Sequence, residues 1–338
     1  MNRYPLSKSI FLFFIILLTF SPYLSTYASA KVIKQYDTLM GTDIEIIVSV
    51  SDDISDKRVK DAINAALKEI KRIENLMSSW IDASEVSRIN KNAGIRPVKV
   101  SKELFELISR AKKFSKITNG AFDISFAGLK GLWNFYDNKK YVPEEDEIKK
   151  VLHLVNYRNI IMENDAVFIK KGMRIDLGGI AKGYTIDRVA AILREYGIEN
   201  ALIKAGGDIR AEGRKDGKPW KIGIQHPRKG SKFIGIINGE DISVSTSGDY
   251  ERYFMKDGKR YHHIIDPETG YPADRSQSVT ILGTETVVTD ALATAVFILG
   301  PEDGMKLVEQ MRGIDAVIID KNGNLSVSEG VGEFKNVE

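Results

Sequence analysis

At 338 residues and 43% apolar content the chain can bury a full core as one large or two modest domains, and its composition excludes a disordered or low-complexity protein. A formal charge of +3 leaves no basic surface on a global scale, which argues against nucleic acid as a partner. Cysteine is absent, so disulfides and a lipid-anchored lipoprotein are both excluded and the fold rests on packing alone.

Arg3 and Lys8 precede an apolar run over 10–18, and Ala28-Ser29-Ala30 supplies a small-x-small cleavage pattern, so residues 1–30 read as a signal peptide. The run is short for a membrane span. The expectation is an exported protein, soluble or anchored by an uncleaved leader. Ile44, Ile46, Val48 and Val50 then alternate as in a half-buried strand, just after Leu39-Met40-Gly41-Thr42. Val59, Ile63, Ala66, Leu67, Ile70, Ile73 and Met77 recur at helical spacing and predict a helix that ends near Ser78-Ser79-Trp80. Alone, Trp80 reads as a core residue. Ser101 caps a second helix with Leu104, Leu107, Ile108, Ala111 and Phe114 inside, and Asn119-Gly120 stops it. Ala121-Phe122-Asp123 follows in a loop, where ligand contacts gather. The aromatic-rich stretch 131–142 reads as an excursion packed over the core, followed by a short helix over 144–155. A hairpin is expected over 166–175, turning at Lys171-Gly172.

Asp176-Leu177-Gly178-Gly179-Ile180-Ala181-Lys182-Gly183-Tyr184 then opens a helix to about residue 196. Glycines at a strand-to-helix turn let backbone approach a ligand, the helix start offers unpaired N–H groups to phosphate, and Lys182 reaches the same end. The alternative is a tight left-handed turn with Lys182 in solvent, and the stretch alone does not separate the two. A Walker loop is excluded because Tyr184 follows Gly183, and the dinucleotide fingerprint is absent. Downstream, a strand over 201–204 leads into Ala205-Gly206-Gly207-Asp208, and Lys215-Asp216-Gly217 precedes a strand with Trp220, Ile222 and Ile224. Asn238-Gly239 predicts a hairpin between 233–237 and 242–244, and Asp257-Gly258 another between 250–255 and 260–265. The proline- and glycine-containing segment 266–272 is a rigid loop. A strand over 278–283, a helix from Thr289 through 299, a further helix near 302–311 and a hairpin at Asn322-Gly323 close the chain. Helices interleaved with antiparallel hairpins indicate an α+β fold, sheet and helices in layers.

Asp290 and Thr294 lie one helical turn apart as hard oxygen donors suited to Mg²⁺. Without further context the plainer reading wins, with Thr289 as N-cap and Asp290 favouring the helix dipole. His262-His263 sits at a strand end, so one ring faces a cleft and the other solvent. A near-neutral histidine there is a natural general base, or else it only hydrogen-bonds the Asp266 turn. So few histidines and no cysteine argue against zinc.

Met40-Gly41-Thr42, Gly120-Ala121-Phe122-Asp123, the 176–184 stretch, Ala205-Gly206-Gly207-Asp208, Ser245-Thr246-Ser247-Gly248, His263-Ile264-Ile265-Asp266-Pro267-Glu268-Thr269-Gly270 and Asp290-Ala291-Leu292-Ala293-Thr294-Ala295 occur in order. Together they make the chain resemble the ApbE family, the FAD:protein FMN transferases, from about residue 34 to the last hairpin. The resemblance implies a layered antiparallel, T-fold-like α+β architecture over 31–338, with room for two closely packed subdomains. It implies Mg²⁺-dependent transfer of FMN from FAD to a threonine hydroxyl of an acceptor protein, with AMP released. Asp290, Thr294 and the Gly179 carbonyl would hold the metal, Lys182 would meet the FAD phosphates, and Asp176 would fix the other end of the turn. Met40, Trp80, Ala121, Phe122, Asp123 and Ile265 match pocket-lining positions, Trp80 now by stacking, and His263 matches the base. The implied acceptors are flavin-bearing subunits of membrane electron-transport complexes. Two features depart from the family: the lipobox cysteine is missing, and the chain carries no acceptor-type sequence of its own. The alternatives are a Mg²⁺-dependent FAD pyrophosphatase giving FMN and AMP, and a non-catalytic exported FAD-binding protein.

Overall fold

The structure, a computed structural model, describes residues 31–133, 135, 140–230, 232–332 and 334–336, so the expected leader and part of the aromatic excursion lie outside the described residues. Its centre is an eight-stranded sheet of β1 (Lys31–Leu39), β2 (Thr42–Val50), β3 (Ala201–Ala205), β4 (Asp208–Glu212), β5 (Ile242–Gly248), β6 (Ser276–Gly283), β7 (Asp315–Asp320) and β8 (Leu325–Val327). Neighbours in space follow chain order, and every pairing among them is antiparallel. That is the layered α+β arrangement expected from the sequence.

Alternation divides the sheet residues between two layers. Ile46 and Ile203 face helices α1 (Asp56–Met77) and α3 (Ala181–Glu195). Leu202, Ala211 and Val244 face the opposite way, onto Trp220, Ile222 and Ile224 of a small sheet. On the helical side, α2 (Lys102–Ile117) and α4 (Thr286–Glu309) pack over Val279, Ile281 and Ile318. Helix α2 carries at both ends the caps read from sequence. The Ser101 hydroxyl accepts the Leu104 amide at 3.3 Å, and Asn119 and Gly120 leave the helix at φ 49° and 89°. The excursion packs as anticipated where it is described: Trp133 stacks on Phe135 at 5.9 Å and donates its indole N–H to the Gly270 carbonyl at 2.9 Å.

Three expectations are corrected. The hairpin pairs Ile161–Glu163 with Ala166–Phe168 and turns at Asn164-Asp165, both at positive φ, while 173–175 is no strand. Ile175 and Asp176 send their amides instead to the Asn90 side chain and the Ile124 carbonyl. Asn238-Gly239 does not make a hairpin, because Phe233–Gly239 pairs with Trp220–Gln225 in the small sheet while β5 joins the large one. The chain crosses between layers there. Thr289 is not an N-cap: α4 begins at Thr286 and the Thr289 hydroxyl is buried against Ser245 at 2.8 Å. The two closing helical segments expected separately are borne out: within α4, Gly300 at a φ of 82° breaks the helix before Pro301.

Candidate active site

A cavity of about 930 Å³ opens where the 40–42, 121–135, 176–182, 206–207, 246–252, 263–267 and 290–298 segments meet. Every position singled out from the sequence lines it: Met40, Trp80, Ala121, Phe122, Asp123, Asp176, Gly179, Lys182, His263, Ile265, Asp290 and Thr294. Its size is at the upper end of ordinary ligand sites.

The glycine turn works by room rather than by handedness. Neither Gly178 nor Gly179 has a positive φ, so the left-handed reading is overturned. A Cβ at Gly179 would stand 3.2 Å from the Phe122 ring and 3.5 Å from the Thr294 hydroxyl, and one at Gly183 would fall 2.3 Å from the Thr286 carbonyl oxygen. Only glycine lets α3 and its turn approach α4 this closely. The helix start offers fewer free amides than expected: Gly178 donates to Asp176, Ile180 and Ala181 to the Leu177 carbonyl, and Gly183 to Asp290. Positive charge at this end therefore comes chiefly from Lys182.

Asp176 is buried, and its Oδ1 accepts the Gly178 amide at 2.8 Å and faces the Lys130 ammonium at 2.9 Å, while Ser79 donates to Oδ2. Burial opposes its charge, but Lys130, Ser79 and that amide outweigh it and hold the carboxyl below the usual range. Lys182 contacts the Asp208 carboxylate and lies 3.4 Å from Asp290 Oδ1. Burial would discharge the ammonium, yet the two carboxylates raise its pKa. Asp290, 4% exposed, is pushed above the carboxylate range by burial and by Asp208.

His263 reaches the cavity, and its Nδ1 is buried with no hydrogen-bond partner among the described residues. Burial, then the neighbouring His262, Arg252 and Lys182, push it down to about 3, so the near-neutral base expected from sequence is not what the free protein holds. His262 does not face solvent. It is 3% exposed, with Nε2 2.7 Å from the Ala273 carbonyl oxygen and its ring edge-on to Phe297.

Trp80 is 72% exposed at the cavity rim, which overturns its core reading. Phe122 is buried edge-on to Phe114, and Ile265 joins the Trp133 cluster. Asp123 borders the cavity, but both its carboxylate oxygens are engaged by Ser125 and the Tyr157 amide. Asp208, 2% exposed, was missed. Its signal was the Gly206-Gly207 pair before it, whose second Cβ would meet the Thr246 carbonyl oxygen at 2.6 Å.

Among the described residues no three histidine, aspartate or glutamate side chains gather around a metal position. The donor set at the glycine turn and α4 is different: one carboxylate, one hydroxyl and one main-chain carbonyl. The Asp290 and Thr294 side chains face the Gly179–Gly183 segment across a gap that Cβ atoms would fill. These hard oxygen donors fit Mg²⁺.

A cavity that gathers buried carboxylates, a lysine and an imidazole, with an exposed indole at its rim, has the make-up of an enzyme's ligand site, and the relatives the chain matches are transferases. The ApbE family model matches residues 40–318, and the chain belongs to the ApbE family. It is 39% identical to an FAD:protein FMN transferase of Klebsiella pneumoniae over 264 residues, which are 77% of this chain and 82% of that one. A Treponema pallidum FAD:protein FMN transferase is 35% identical over 81% of this chain and 82% of its own. Among solved structures, the ApbE protein from Thermotoga maritima superposes with a TM-score of 0.81 at 39% identity, covering 88% of this chain and 97% of that one. The flavin transferase ApbE from Vibrio cholerae gives 0.82 at 30% identity over 90% and 100%.

Proposed function

We propose that the chain is an exported FAD:protein FMN transferase that moves FMN from FAD to a threonine hydroxyl of an acceptor protein and releases AMP, with Mg²⁺ as the metal. The observation that carries this reading is the convergence of the glycine turn and α4 around Asp290, Thr294 and Gly179 at the end of a dinucleotide-sized cavity. Asp290, Thr294 and the Gly179 carbonyl would hold the cation. When bound, it would neutralise charge on the pyrophosphate and stabilise the departing AMP.

The chain's own groups divide the remaining work. Lys182 supplies a positive charge that Asp208 and Asp290 favour against burial, at the cavity wall where it would meet a phosphate. Asp176 pins the turn through Gly178. Trp80 offers an exposed indole to a flat ring at the rim, and Met40, Phe122 and Ile265 offer apolar wall. The His263 ring borders the cavity and would take the threonine proton there, a modest demand if the transition state is dissociative. The leader pattern at 1–30 supports export, and family resemblance supports subunits of membrane electron-transport complexes as acceptors. No helix among the described residues is long and apolar enough to cross a membrane.

Mass spectrometry of a threonine-bearing acceptor domain, after incubation with the chain, FAD and Mg²⁺, tests the reading. A gain equal to FMN less water is expected. Free FMN and AMP with an unmodified acceptor would instead identify a pyrophosphatase. Asp290→Ala should lower transfer by ~10²-fold or more, the scale of a lost electrostatic stabiliser; a pure FAD carrier would have no chemistry to lose.

A further inference from the structure

The two carboxylate oxygens of Asp290 are committed differently. Oδ2 accepts the Gly183 amide at 2.9 Å, a bond that belongs to the close crossing of α3 and α4. Oδ1 faces the Lys182 ammonium at 3.4 Å. Oδ1 is the oxygen not tied to that backbone bond, so a divalent cation taken up at Asp290 meets the ammonium there, and two cations at one carboxylate repel strongly in a buried site. Lys182 has a second partner. Asp208, almost wholly buried on β4, contacts the same ammonium more closely than Asp290 does. The Lys182 side chain keeps 28% exposure and lines the cavity, so its ammonium can leave Asp290 without leaving Asp208.

We infer that Asp208 is a positioning residue: the cation and the Lys182 ammonium compete for Asp290 Oδ1, and Asp208 retains the displaced ammonium at the cavity edge, where the substrate pyrophosphate meets it. This rests on the Mg²⁺ reading above. Two carboxylates against one ammonium leave a negative charge to receive the cation. Without Asp208 the ammonium has only Asp290 to return to, and the cation must displace it entirely.

The test is calorimetric titration of MgCl₂ into the full chain without FAD, at fixed pH and ionic strength, in a cycle of Lys182→Met and Asp208→Asn. Lys182→Met should tighten Mg²⁺ binding about tenfold or more, and Asp208→Asn should weaken it about tenfold or more. The Asp208→Asn penalty should shrink about fivefold or more in the Lys182→Met background, because no ammonium remains to fall back on Asp290. An equal penalty in both backgrounds, as a structural or purely through-space role requires, overturns the competition. So does unchanged or weaker binding by Lys182→Met. If Asp208→Asn does not fold, Asp208→Ser takes its place in the cycle and the same two comparisons decide. A wild-type chain that binds no Mg²⁺ overturns the metal reading itself, and this inference with it, and is distinguished by needing no variant.

Discussion

At His263 the environment and the proposed task pull in opposite directions. Burial and the positive charges of Arg252 and Lys182 hold the ring neutral, with a pKa of about 3. An unfolded histidine titrates near 6.5. Between those two values the unfolded chain binds more protons than the folded one, so this group's contribution to stability is full above about pH 6.5 and is lost as pH falls toward 3. His263→Gln should therefore flatten the loss of stability on the acid side. Urea midpoints measured from pH 7 to pH 4 should fall more steeply for wild type than for the variant. The ¹⁵N shifts of the His263 imidazole should likewise report a neutral ring at pH 5 in the free protein, and anionic substrate phosphates brought alongside should raise its pKa. Proton acceptance would then depend on the substrate already being in place. A ring that titrates near 6.5 without substrate would remove that dependence.

The elements show which parts of the fold could be read from sequence and which could not. Helices α1 and α2 were legible because apolar spacing, and for α2 the Ser101 cap, are local signals, and the Asp257-Gly258 hairpin because both turn residues take positive φ. The Asn238-Gly239 pair has equally good turn chemistry, yet it ends a strand of the small sheet while the next strand joins the large one, and only the tertiary layers decide that. The same limit applies in the site. Asp290 and Thr294 were visible as an i, i+4 pair, whereas Asp208 acts through a lysine 26 residues away on another element. Gly183 joins the two scales, since α3 can touch α4 only without a side chain there. Alanine normally gains helix propensity over glycine by ~1 kcal/mol. Here its Cβ would sit 2.3 Å from the Thr286 carbonyl oxygen and 2.8 Å from Asp290 Cβ. Gly183→Ala should destabilise the protein by about 2 kcal/mol, as overpacking against backbone commonly does, and disturb the Asp290 carboxylate as well. Guanidinium unfolding of the variant checks the sign; a gain in stability would show that the helices part without cost.

For the whole molecule, the cavity draws its walls from Met40 at the start of the large sheet to Ile298 on α4, so one ligand spans almost the full described chain. Segments this far apart in sequence hold their places only while the sheet and both helical clusters are intact. A ligand that binds only the assembled site must therefore stabilise the global fold by mass action. At a hundredfold excess over the dissociation constant that amounts to ~2.7 kcal/mol, or a rise of roughly 4 °C in unfolding temperature for a chain of this size. The two ligands should separate in Asp290→Ala. FAD alone should still raise the unfolding temperature, through the rim indole and the apolar wall, whereas the further rise on adding Mg²⁺ should vanish, as it should for wild type with chelator. Differential scanning fluorimetry with FAD, Mg²⁺, both and neither gives the four values. If Asp290→Ala kept the full Mg²⁺ increment, the cation would be held elsewhere, and α4 would serve the fold without serving the metal.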